Sequence, residues 1–125
     1  MKTLEKPEQG DVTIVRVNMM TVKLPDEFSD LQGFVSEWAL EYRRDRYKKR
    51  YTSSIEDIRI YYDAIMPRME AIVDHLNQFS VDDIPKASEP LLYMSLSGVE
   101  ISRAVELWNA PDNYAFPAER VSVDQ

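Results

Sequence analysis

The spacing of apolar residues changes character several times along this chain, and each change marks an element. Residues 1–10 are polar, with Pro7 and Gly10, and read as a flexible tail. Residues 12–24 carry Val12, Ile14, Val15, Val17, Met19, Met20, Val22 and Leu24, β-branched in large part and partly alternating. They predict an extended segment, closed by Pro25. A lone strand has no partner in this chain, so it is expected to lie across a helical body or to pair with its counterpart in a second subunit.

From Phe28 the period becomes helical. Phe28, Leu31, Val35, Trp38 and Tyr42 step by three and four and form one stripe. Asp26, Glu27 and Asp30 start this helix, and the cations of residues 43–50 crowd its far end, as the helix dipole favours. Ser53 with Glu56, or Ser54 with Asp57, offers a capping box for the next helix. There Ile58, Tyr62, Ile65, Met69, Ile72, Leu76 and Phe79 form an uninterrupted seam. Pro67 lies inside it, and because the seam keeps its phase on both sides, the expectation is a kink, not a break. Ser88-Glu89-Pro90 opens a third helix that is apolar on nearly all sides from Leu91 to Trp108. Its Ser95, Ser97, Gly98 and Ser102 would let a neighbouring backbone come close. Residues 110–125 read as an irregular C-terminal tail. The expected architecture is all-α: one domain over residues 1–125, a small bundle of three main helices with the second kinked at Pro67, and an extended N-terminal segment.

Three helices are few to close a core, and the second and third carry surplus apolar surface. A homodimer is therefore expected, isologous pairs being the commonest assembly.

Composition narrows the chemistry. Cysteine is absent, which removes disulfides, thiolate metal sites and cysteine nucleophiles. With one histidine and three glycines, multi-histidine metal sites and glycine-rich phosphate loops are excluded as well. No cofactor is expected. The N-terminus lacks the apolar core of a secretory signal and no run is long enough for a membrane span, so the expected setting is the cytoplasm, with no membrane association. The net charge of -7 argues against nucleic acid as a partner.

Four clusters remain. Asp63, Glu70 and Asp74 share a face of the second helix beside His75, in the manner of carboxylate metal sites, but Ile72 stands where a Glu-x-x-His pattern would need its acid. The simpler reading is a solvated acidic face, and no metal site is assigned. Glu100, in the middle of the most apolar helix, needs a partner if buried, from Arg103 or from a basic residue of the first helix. Glu100, His75, Tyr61, Tyr62 and Tyr93 are the candidates for a ligand pocket between the second and third helices. The run Arg43, Arg44, Arg46, Lys48, Lys49 and Arg50, interleaved with Tyr47, is the candidate surface for an acidic protein partner or a second subunit. His75 with Ser53, Ser54, Ser95 or Ser97 lacks a nucleophile-elbow sequence, which points away from an enzyme. The expected function is a non-catalytic helical dimerisation or protein-interaction domain. The alternatives are a small-ligand module or small enzyme using that pocket, or a carboxylate metal site.

Overall fold

A computed structural model describes residues 22–112. Residues 1–21 and 113–125, including most of the expected extended segment and of the C-terminal tail, lie outside the described residues. The chain runs irregularly from Val22 to Pro25, where the Gln32 side chain brackets it. The Gln32 amide accepts from Leu24 N–H at 2.8 Å and donates to Val22 C=O at 3.0 Å.

A 3-10 helix, Asp26–Phe34, leads directly into helix α1, Val35–Trp38. Helix α2 is Arg43–Thr52 and α3 is Ile55–Ile65. A 3-10 turn at Met66–Arg68 carries α3 into α4, Met69–Leu76. Two further 3-10 turns, Val81–Asp83 and Lys86–Ser88, precede the longest helix, α5, Glu89–Arg103, which finishes in a π-turn at Ala104–Trp108. There is no strand among the described residues, and the fold is all-α.

The second expected helix is α3 plus α4. At Pro67 the backbone keeps right-handed dihedrals on either side, so the chain bends without breaking. Its cap is Ser54, whose Oγ accepts from Asp57 N–H at 3.1 Å. The buried face is centred slightly off the expected seam: Ile58, Tyr61, Ile65 and Ile72 are fully covered, while Tyr62, Met69 and Leu76 are half-buried. Tyr61 stacks on Trp38 at 4.5 Å with the rings 5° from parallel, and its hydroxyl donates to Met94 C=O.

The first expected helix divides. Phe28, Leu31, Val35 and Trp38 are buried as one stripe, but Tyr42 is exposed because the helix stops at Ala39, whose ψ of 69° is non-helical. Side-chain chemistry holds the break open: Arg46 Nη1 donates to the carbonyls of Leu40 and Glu41 at 2.8 and 2.9 Å. The consequence for charge is a correction. Arg43 and Arg44 stand in the first turn of α2, the end where cations are disfavoured, and only Lys49 and Arg50 occupy its favourable last turn.

Helix α5 packs on all the others through Leu91, Met94, Ser97, Gly98, Ile101 and Ala104. Ser97 Oγ donates to Trp38 C=O at 2.7 Å. A Cβ at Gly98 would sit 3.4 Å from Ile65 Cγ2, in ordinary contact, so α3 packs directly against this side of α5. The apolar character expected all round α5 is therefore only partly used: Leu96, Val99 and Leu107 remain exposed.

Candidate functional site

The last turn of α2 delivers Arg50 into the interior, where it is 3 % exposed. Its Nε donates to Glu100 Oε2 at 2.9 Å, and its Nη1 donates to Pro111 C=O at 2.6 Å and reaches Asp112 Oδ1 at 3.5 Å. The guanidinium lies over the rings of Tyr47 and Trp108, at 5.0 and 5.2 Å. Arg46 completes the surroundings of Glu100; burial holds its pKa below the usual arginine range, against the raising effect of the Glu100 carboxylate. Glu100 is thus the counter-ion of a buried arginine from the first expected helix. The arrangement ties α2 to α5 and to the chain after it.

His75 organises the other end. Its Nε2 lies 2.7 Å from Ser88 Oγ, just before α5, and its Nδ1 lies 3.3 Å from Glu27 Oε2. The edges of Phe28 and Phe79 meet its ring at 5.3 and 5.5 Å. Arg68 stacks on Phe28 at 4.9 Å, donates to Glu27 C=O, and forms an ion pair with Asp30 at 3.3 Å. Glu27, Phe28, Arg68 and His75, with Asp74 and Gln78, border an open cleft of about 390 Å³.

Serine, histidine and carboxylate in this order resemble a hydrolytic relay, but its polarity is inverted. The nucleophile in such a relay faces substrate and the acid is enclosed. Here Ser88 is 2 % exposed while the Glu27 side chain is 61 % exposed. The amides of Ser88 and Glu89 both donate to Pro85 C=O, so neither is left for an oxyanion. The group works as a clamp between the 3-10 helix Asp26–Phe34, α4 and the turn that leads into α5.

The five pocket candidates do not converge. Tyr61 is core, and burial pushes its phenol well above the usual range. Tyr62 donates to Glu106, and that hydrogen bond is the main reason its pKa is raised. Tyr93 is half-buried and raised first by burial, then by Glu41 and Glu89. Glu100 belongs to Arg50 and His75 to its clamp. Sequence reasoning missed Glu27, Arg68 and Ser88 as neighbours of His75, since nothing in their spacing marks a contact made across loops.

Of the basic run, Arg50 is buried, Arg46 holds carbonyls, and Lys49 Nζ lies 4.9 Å over Trp38 and 3.7 Å from Glu37. Arg43, Arg44 and Lys48 point outward. Asp63, Glu70 and Asp74 are exposed, and among the described residues no three His, Asp or Glu side chains gather as an ion-holding group.

The remaining feature is apolar. At about 100° per residue, Gly98 fixes the side of α5 that meets α3, and Glu100 the side that meets α2. Leu92, Leu96 and Val99 fall on the arc between them, with Leu96 and Val99 at 39 % and 62 % exposure. Arg103, also exposed, falls on the same arc one turn past Val99 and closes the apolar row at its C-terminal end. No family model, curated protein or solved structure matches the chain.

Proposed function

We propose that this chain is a non-catalytic helical interaction domain that forms a homodimer through the exposed arc of α5. The observation that carries the reading is the apolar row Leu92, Leu96 and Val99 on the outer side of the most central helix. Exposed apolar surface that is contiguous, not scattered, marks contact sites. Outward-facing Arg43, Arg44 and Lys48 supply a charged rim suited to an acidic partner surface. The inverted His75 relay and the dispersed tyrosines favour interaction over catalysis. No helix is long and apolar enough to cross a membrane. The same reading has the domain working in the cytoplasm, where a chain without cysteine forgoes nothing that disulfides would provide.

Native mass spectrometry and sedimentation test it directly. The wild type is expected to be a dimer at micromolar concentration. Leu96→Glu with Val99→Glu is expected to give a monomer whose unfolding free energy, extrapolated to the monomer, lies within about 0.5 kcal/mol per site of the wild type. A wild-type chain that stays monomeric at about 100 μM, a weak affinity even for a transient contact, overturns the reading.

A further inference from the structure

Resting on that reading, we propose that the partner is a second copy arranged about a two-fold axis running along α5. The Arg43, Arg44 and Lys48 flank of each protomer then meets the Asp63 and Glu70 flank of the other. On one side of the arc, α2 is held by Arg50 to Glu100. Lys49 marks the side of α2 turned to Trp38, and Arg44 and Lys48, four residues apart, lie on the side turned away from it. On the other side, Tyr62 of α3 reaches Glu106 just past α5. Asp63 and Glu70, seven residues apart, lie one step further round from Tyr62 on α3 and α4. All five of these charged side chains face outward, and none makes an ion pair among the described residues. The apolar arc therefore has a basic bank and an acidic bank, each with unused charge.

An isologous dimer across such an arc has two simple solutions. With the axis perpendicular to α5, the two helices run antiparallel, and each bank faces its own counterpart, basic on basic and acid on acid. With the axis along α5, the helices run parallel and each basic bank faces the partner's acidic bank. Like charges brought together across an interface oppose association and opposite charges favour it, so the second arrangement is selected. It also places each α5 residue opposite its own copy, Arg103 included, so the like charge at that one position is set against two complementary banks.

The absence of native cysteine makes the arrangement readable. Leu92→Cys and Val99→Cys, made separately, each give one thiol per chain. The two positions are about 10 Å apart along the helix, and a disulfide needs Cα atoms within about 7 Å. With the axis along α5, both variants should form an interchain disulfide under mild oxidation. In an antiparallel pair at most one can. Reversing the basic bank with Arg44→Glu and Lys48→Glu should raise the dimer dissociation constant at low salt by about tenfold or more. Adding Asp63→Lys and Glu70→Lys should restore it to within a few-fold. If native mass spectrometry shows only monomer, the underlying dimer reading fails. If the dimer forms but only one cysteine links, or the reversals have no effect or no rescue, the dimer reading stands and this arrangement is overturned.

Discussion

Glu100 and Arg50 form a short and largely enclosed ion pair, at 2.9 Å. The guanidinium is almost wholly enclosed, so its burial is offset only by the groups around it. Removing one partner of a buried pair leaves the other uncompensated, at about 3–5 kcal/mol where both are fully enclosed. The Glu100 side chain keeps 20 % exposure, and Asp112 and Pro111 remain near Arg50, which lowers that figure. Glu100→Ala is expected to cost about 2–3 kcal/mol in urea denaturation, and a loss under about 0.5 kcal/mol, the size of an ordinary surface change, would mean that Asp112 and Pro111 suffice. Tyr61 gives the complementary pH effect. Burial raises its folded pKa above the ordinary value of 10.0, so the folded state holds the phenol proton that the unfolded chain releases. Its contribution is complete below pH 10 and is lost as pH rises from there towards the folded pKa, at about 1.4 kcal/mol per pH unit. Tyr61→Phe should therefore flatten the alkaline decline of stability in thermal scans between pH 10 and 11.5, while costing about 1 kcal/mol at neutral pH. An unchanged alkaline slope would place the titrating group elsewhere.

At the level of elements, legibility followed the range of the interaction involved. The cap at Ser54, the bend at Pro67 and the start of α5 at Ser88-Glu89-Pro90 are set within a few residues, and all three stand where the local rules put them. The division of the first helix was hidden. Ala39, Leu40 and Glu41 are good helix formers, and the turn there accompanies two long-range contacts, Arg46 to the carbonyls of Leu40 and Glu41 and Arg50 to Glu100. The same limit applies to the polar clusters. That Glu100 would need a basic partner was readable from its place in an apolar helix, though not whether Arg103 or the first helix would supply it; that His75 joins Glu27 and Ser88 was not, because those contacts span three separate segments. Gly98 falls between the two cases. Its smallness announced a close approach, but which helix approached depended on the packing of Ile65 and Met69 against it.

On the scale of the molecule, the two polar clamps sit at opposite ends of α5. Ser88 immediately precedes its first residue and Glu100 lies in its last turns, twelve residues on, which is about 18 Å of helix. Between them the helix is packed by apolar groups, Met94 and Ile101 fully covered and Gly98 against Ile65. The clamps share no side chain: one joins α2 and the segment at 111–112 to α5, the other joins the 3-10 helix Asp26–Phe34 and α4 to its start. Substitutions at sites this far apart without shared partners add to within about 0.5 kcal/mol. His75→Ala is expected to cost about 1–3 kcal/mol by leaving the Ser88 hydroxyl unpaired and a gap between Phe28 and Phe79. Combined with Glu100→Ala, the losses should sum in a double-mutant cycle of urea unfolding. A coupling above about 1 kcal/mol would mean that α5 moves as a rigid strut between its ends, so that loosening one clamp already relaxes the other. Such coupling would bear on the proposed association as well, since Leu92, Leu96 and Val99 lie between the two clamps along α5.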